Sequence, residues 1–273
     1  MATVHKLDGG LLICASSSVF LAKYSHDRLS IDRSFNTKGV LKSLLSTKEL
    51  ADGDVKQPST ATTDDVDVQI LCSNVSNCGS LLALGTSEKV LIILEAHTLT
   101  MRRGFRVPKA PTSVTFDKDD AHVVVGDRAG HVRRYSIKAS ENCGYTDMNG
   151  EESISHDGNF LLAADRDEKI RVSRYPQTYV IQSYCLGHSA YVSSLALLGN
   201  RLFSSGGDSI VIEWELECGK VVTRSEKLDE LPVRRILAFE QDKTLFVVAA
   251  AGPTLHILDE HLQSVSSINH LRQ

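Results

Sequence analysis

One pattern recurs along the chain after about every 40 residues, and it constrains the fold more than any other feature. In each copy a short apolar strand runs into a turn rich in Gly and Asp, and a second strand follows. Such a unit is typical of a β-hairpin. The five clear copies are Ser80–Leu94, Ala121–Tyr135, Phe160–Ser173, Arg201–Trp214 and Leu245–Leu258.

Most copies are preceded by a further strand and a turn, so each repeat predicts a small antiparallel sheet of four strands. These preceding strands are Val68–Cys72, Thr112–Phe116, Val192–Leu197 and Val233–Phe239. A lone sheet of this size cannot bury both faces, whereas sheets stacked around an axis cover one another. The repeats therefore predict an all-β fold, a β-propeller.

A weaker opening copy lies within residues 10–35, which brings the expected number of blade-like units to about six. We expect residues 1–273 to form a single propeller domain. The acidic segment 48–67 is interpreted as a loop between blades, because it is rich in Asp, Ser and Thr.

Composition narrows the functional classes. Thirty Lys and Arg against thirty-four Asp and Glu give a net charge of −4, which argues against a protein that coats nucleic acid through bulk charge. Apolar runs such as Leu245–Ala251 fall far short of the roughly 20 residues that span a bilayer. The six cysteines lack zinc-site spacing, so we expect reduced thiols and a cytosolic or nuclear protein.

The fourth clear repeat carries the strongest WD signature. Gly187-His188 precedes its first strand, and Trp214-Glu215 ends its third. In WD repeats a buried network joins a His, a Ser or Thr, an Asp and a Trp. We assign these roles to His188, Ser204, Asp208 and Trp214. A Ser-His-Asp nucleophilic triad is disfavoured, because the sequence has no G-x-S-x-G elbow and these residues already have a structural role.

The third clear repeat has an unusually charged turn, in which six of the seven residues from Asp165 to Arg171 are charged. Its Asp167 stands in the place of the buried turn aspartate. We therefore expect four other side chains to project from the blade and to be available to a partner protein. These are Arg166, Glu168, Lys169 and Arg171.

The stretch that contains this turn resembles a specific family. The residues that carry the likeness are Ala164–Ser173, Tyr175-Pro176, Cys185–His188 and Tyr191–Ser193. They are similar to the non-catalytic WD-repeat subunit of the eukaryotic tRNA (guanine-N7-)-methyltransferase, and the likeness is strongest from Ile154 to Trp214.

The resemblance implies a seven-bladed propeller without catalytic activity, which binds and stabilises a separate methyltransferase subunit as a heterodimer. That catalytic subunit would hold S-adenosylmethionine, and tRNA would be bound through the complex. The implied location is the nucleus, with the cytoplasm as a second compartment. The family contacts its catalytic partner where Arg166, Lys169 and Arg171 stand in this sequence.

Two departures from the family pattern affect the expected blades. Residues Asn149–Ile154 replace a Gly-His and a full first strand, so the outer part of that blade looks deleted. The chain also ends at Gln273, before the further blade and basic tail that the family has, as in a truncated or alternatively spliced form. An open ring would leave exposed sheet edges and lower stability.

Other functions remain as alternatives at this point. A general WD-repeat adaptor of a ubiquitin ligase or chromatin complex is compatible with the fold alone. A hydrolase would need Asp127, Asp167 and Asp208 in a shared site, although each is explained as a turn residue. His256 and His261 flank Asp259-Glu260, a pattern more typical of a solvated edge than of a metal site. Basic side chains that either contact phosphate or are simply exposed are Arg102, Arg103, Arg106, Arg133 and Arg134.

Overall fold

The computed structural model describes residues 2–25, 28–39, 68–127, 131–138, 142–147, 151–154, 158–164 and 167–268. The chain divides into two compact units, residues 1–147 and 148–273. The described residues of each unit form three four-stranded antiparallel sheets in which consecutive strands are neighbours. The acidic segment expected as a loop at 48–67 lies outside the described residues.

The first unit contains sheets A, B and C. Sheet A consists of β1 (Ala2–Leu7), β2 (Gly10–Ala15), β3 (Ser18–Ser25) and β4 (Arg28–Asn36). Sheet B consists of β5 (Ile70–Val75), β6 (Leu81–Thr86), β7 (Val90–Glu95) and β8 (Met101–Arg106). Sheet C consists of β9 (Pro111–Phe116), β10 (His122–Asp127), β11 (His131–Ser136) and β12 (Asn142–Asp147).

The second unit contains sheets D, E and F. Sheet D consists of β13 (Glu151–Ile154), β14 (Phe160–Ala164), β15 (Lys169–Arg174) and β16 (Ile181–Leu186). Sheet E consists of β17 (Val192–Leu198), β18 (Arg201–Gly206), β19 (Val211–Glu215) and β20 (Lys220–Arg224). Sheet F consists of β21 (Val233–Gln241), β22 (Thr244–Ala251), β23 (Thr254–Leu258) and β24 (Ser264–Ile268).

Stacking buries both faces of the central sheet in the first unit. Strand β6 is buried along its whole length. Its side chains alternate, so Leu82 and Leu84 lie in the cluster with Leu12 of sheet A, whereas Ala83 lies in the cluster with Val123 of sheet C. An uninterrupted apolar run on a central strand is the expected consequence of burial on two sides.

Sheet E has the same central role in the second unit. Leu202 and Trp214 pack with Ile170 of sheet D. On the opposite face, Phe203 packs with Val247 of sheet F. The predicted stacking of repeats is thus present within each unit.

A repeated irregularity marks the six sheets as copies of one unit. In every sheet the register between the third and fourth strands shifts, as at a β-bulge. Such a bulge bends the outer strand and increases its twist. The all-β WD-repeat class and the six blade-like units predicted from the sequence are confirmed.

The blade expected to be incomplete is sheet D. It has all four strands, and the shortening falls on β13, which has four residues. Among the described residues, no helix has both the length and the apolar character needed to cross a membrane.

Candidate functional site

The clearest side-chain constellation in the second unit is a hydrogen-bond network in sheet E. His188 Nδ1 lies 2.8 Å from Asp208 Oδ2, and His188 Nε2 lies 2.7 Å from Ser204 Oγ. Trp214 donates its Nε1–H to the same Ser204 Oγ across 2.6 Å. The backbone N–H of Ser189 donates to Asp208 Oδ2 at 3.0 Å. The four residues assigned from the WD signature are therefore in direct contact.

The direction of the hydrogen bonds in this network follows from Trp214. The Trp214 indole can only donate, so Ser204 Oγ accepts from it. The Ser204 O–H can in turn donate a hydrogen bond to His188 Nε2. The Nδ1–H of His188 then faces the Asp208 carboxylate. Burial alone would raise the pKa of Asp208, but hydrogen bonds from His188 and the Ser189 backbone hold this pKa below its usual value. The network closes the turn between β18 and β19 and gives the side chains a scaffold role.

The expectation that Asp167 is a buried turn aspartate is wrong, because its side chain is exposed. Pairing of Ala164 with Ile170 and of Ser205 with Val211 makes Asp167 the sheet-D equivalent of Asp208. The same register puts Ala163 where sheet E has Ser204, and Ser173 where it has Trp214. At these two positions sheet D therefore lacks the Ser and Trp that complete the network around His188 in sheet E.

The predicted partner-binding residues lie at the turn before β15 and on that strand. Arg166 lies outside the described residues. Glu168 is exposed and has a positive φ of 66°, and Lys169 is exposed at the first position of β15. Arg171 is half-buried, and it donates from Nε to Ser173 Oγ at 3.2 Å and from Nη2 to the Thr178 carbonyl at 3.3 Å.

The orientation of β15 separates its charged side chains. Lys169 and Arg171 alternate with Ile170 and Val172, which are buried in the cluster shared with sheet E. Side chains that alternate along a strand point to opposite faces. Lys169 and Arg171 therefore share the face of sheet D that points away from sheet E. Arg174 alternates with them and lies on the other face of β15.

Sequence reasoning missed the residues that lie beside this charged pair. Leu186 pairs with Lys169 and Tyr184 pairs with Arg171, so all four belong to one face. Between them, Cys185 pairs with Ile170 and is buried. Desolvation, with a smaller contribution from Cys218, raises the pKa of the Cys185 thiol to about 12. The alternation of Tyr184, Cys185 and Leu186 in the sequence was the signal that could have identified this face.

Several arginines considered as phosphate ligands are engaged within the first unit. Arg102 Nη1 lies 2.7 Å from Glu95 Oε1, and Arg103 Nη1 donates to the Ile137 carbonyl at 2.9 Å. Arg134 Nη2 lies 2.9 Å from His122 Nδ1. The guanidinium groups of these three arginines are thus bonded to other groups of the protein.

The two histidines near the end of sheet F contact different carboxylates. His256 Nε2 lies 3.6 Å from Asp229 Oδ2, whereas His261 Nε2 lies 3.6 Å from its neighbour Glu260. In the part of the chain that the structure describes, no group of three or more His, Cys, Asp or Glu side chains is arranged to hold a metal ion.

Comparison with known proteins bears directly on the hairpin that β14 and β15 form in sheet D, which we call the charged hairpin. The family model described as the tRNA methyltransferase TRM82 WD40 domain matches residues 144–255, which include that hairpin and the His188 network. A protein of Caenorhabditis elegans named tRNA (guanine-N(7)-)-methyltransferase non-catalytic subunit is 40% identical over 205 residues, 68% of this chain and 52% of that protein. The chain is a relative of these non-catalytic tRNA methyltransferase subunits.

Two further proteins of this description are also similar to the chain. The human non-catalytic subunit WDR4 is 33% identical over 159 residues, which are 55% of this chain and 39% of that protein. The Candida glabrata subunit TRM82 is 27% identical over 175 residues, or 55% of this chain and 41% of that protein. This chain spans about half the length of the Caenorhabditis elegans relative and less of the other two.

Proposed function

We propose that this protein is a non-catalytic accessory subunit that binds and stabilises the catalytic subunit of a tRNA (guanine-N7-)-methyltransferase. The observation that carries the proposal is the family match across residues 144–255, which contain the charged hairpin of sheet D. The relatives are named as non-catalytic subunits of that enzyme. In this proposal the two subunits form a heterodimer, and tRNA is bound through the complex.

The hairpin of sheet D suits a role in protein recognition. Lys169 is accessible on a strand that its neighbours hold on both sides, and Arg171 is fixed by its bonds to Ser173 and Thr178. A guanidinium that is already ordered loses less entropy when it pairs with a carboxylate. Carboxylates on the catalytic subunit are the expected complement of Lys169 and Arg171, and Glu168 provides one opposite charge for a basic group.

The proposal assigns no chemical step to this chain. The catalytic subunit supplies the S-adenosylmethionine site and the transfer of the methyl group to guanosine N7. The side chains here that resemble a triad are already committed to one another, since His188 lies within hydrogen-bond distance of both Ser204 and Asp208. The proposal places the complex in the nucleus, with the cytoplasm as a second location.

A charge reversal with a matched control tests the proposed interface. We expect the purified chain to bind the catalytic subunit and to raise its N7-methylation of tRNA. The variant Arg171→Glu should weaken binding by about tenfold or more, because it opposes carboxylates on the partner. Arg234→Glu reverses the same charge at an exposed position of β21 in sheet F and should change affinity by less than about twofold.

Binding is measured by titration calorimetry, and methylation by transfer of a labelled methyl group to tRNA. Thermal unfolding of both variants checks that the fold is retained. If the wild-type chain forms no complex with the catalytic subunit, the proposed function is wrong.

A further inference from the structure

Three large side chains on the edge strand β16 are exposed beside the charged pair of β15. The exposed fractions are 44% for Ile181, 43% for Tyr184 and 61% for Leu186. We refer to these three residues as the β16 apolar row. Single exposed apolar residues are common on protein surfaces, but a contiguous group on one face is a feature of interaction sites.

The pairing of β15 with β16 places the β16 apolar row on the same face of sheet D as Lys169 and Arg171. Leu186 lies opposite Lys169, Tyr184 lies opposite Arg171, and Ile181 lies opposite Ser173. Paired side chains of neighbouring antiparallel strands stand about 5 Å apart on the same face. A partner that reaches Lys169 and Arg171 therefore meets Tyr184 and Leu186 as well.

Contacts from sheet E hold the backbone of this edge strand in place. Ser183 Oγ donates to the Leu216 carbonyl at 2.9 Å, and the Gln182 side chain donates to the Glu217 carbonyl at 3.2 Å. Gly219 packs so closely against β16 that a Cβ there would clash with the Tyr184 carbonyl oxygen. The β16 apolar row is thus displayed on a supported strand, which lowers the ordering cost of binding.

We propose that the β16 apolar row, together with Lys169 and Arg171, forms the docking surface for the catalytic subunit. This inference rests on the proposed function. Charged pairs at a rim contribute mainly to specificity and to the association rate, whereas desolvated aromatic and aliphatic side chains contribute most of the affinity. The occupant is a protein surface that presents carboxylates next to apolar side chains, with Tyr184 and Leu186 at the centre of the contact.

Serine substitutions test the row, and sheet F offers a control of the same residue type and exposure. Leu237 on β21 is 62% exposed, compared with 61% for Leu186. We expect Leu186→Ser and Tyr184→Ser each to weaken binding of the catalytic subunit by about tenfold, mainly through faster dissociation. Leu237→Ser should leave the dissociation constant within about twofold of the wild type.

Surface plasmon resonance with the immobilised catalytic subunit measures these rates. A second measurement needs no variant: backbone amides of residues 181–186 in the wild-type chain should exchange hydrogen more slowly in the complex.

The possible outcomes separate the two proposals. No binding by the wild-type chain would contradict the proposed function itself. Binding that is lost in Arg171→Glu but unchanged in Leu186→Ser and Tyr184→Ser would overturn the inference alone. The inference is equally wrong if Leu237→Ser weakens binding as much as Leu186→Ser, or if residues 181–186 gain no protection in the complex.

Discussion

Trp214 and Ser204 are joined by a buried hydrogen bond in which the indole Nε1–H donates to Ser204 Oγ across 2.6 Å. Ser204 is fully buried, and its hydroxyl also lies 2.7 Å from His188 Nε2. The Ser204 hydroxyl therefore provides the hydrogen-bond partner of both Trp214 Nε1 and His188 Nε2. This arrangement makes sheet E sensitive to changes that remove a single atom.

Replacing Ser204 by Ala should destabilise the protein by about 2–3 kcal/mol, because Trp214 Nε1 and His188 Nε2 both lose their partner while remaining buried. The adjacent Ser205 provides the control. It is also buried, but its Oγ has no hydrogen-bond partner among the described residues. Ser205→Ala should therefore be neutral or slightly stabilising. Urea unfolding followed by tryptophan fluorescence measures both, and equal losses of stability would contradict the assigned role of Ser204.

The equivalent turn aspartates of sheets D and E should respond differently to truncation. Asp208 is 6% exposed at its side chain and accepts from both His188 and the Ser189 backbone, so Asp208→Ala should cost about 2–3 kcal/mol. Asp167 is exposed, and Asp167→Ala should change stability by only about 0.5 kcal/mol. Thermal unfolding of the two variants provides the comparison. A larger loss of stability for Asp167→Ala than for Asp208→Ala would contradict this account.

The lowered pKa of Asp208 predicts an acid-labile fold. Its folded-state pKa lies below the ordinary value of 3.8, so the ionised form stabilises the protein above that pH. This stabilisation should disappear as the pH falls through the lowered folded-state pKa. Urea midpoints of the wild type and Asp208→Asn between pH 6 and pH 2.5 test this point. The two curves should converge at the acid end, and parallel curves would exclude Asp208 as a source of the pH dependence.

The ion pair between Arg201 and Glu213 should respond asymmetrically to mutation. Arg201 donates to both Glu213 oxygens at 2.6 and 2.9 Å, and the Glu213 side chain is 5% exposed whereas that of Arg201 is 39% exposed. Arg201→Met leaves a buried, unpaired carboxylate and should cost about 3 kcal/mol. Glu213→Gln keeps an acceptor for the guanidinium and should cost about 1 kcal/mol. Denaturant titration measures the difference, and the reverse order would contradict this account.

Much of sheet E could be predicted from local sequence. The separation of Ser204, Asp208 and Trp214 follows from a turn length that sheets B, C, D and E share. A turn aspartate placed among apolar strands needs hydrogen-bond partners, and the sequence supplied them nearby. The same reasoning failed at Asp167, which is exposed although the strand register makes it the equivalent of Asp208. An equivalent position in the turn does not by itself bury the carboxylate, because burial depends on the side chains around it.

The sequence by itself determined the repeat, the strand-turn-strand units and the charged hairpin, because these depend on hydrophobic alternation and on turn residues close together in the chain. Tertiary structure alone decided which side chains share a surface. Lys169 and Leu186 are 17 positions apart in the chain, and they become neighbours only through the pairing of β15 with β16. That pairing is fixed by burial of Ile170 and Cys185 against sheet E, which leaves the alternate residues facing away from it.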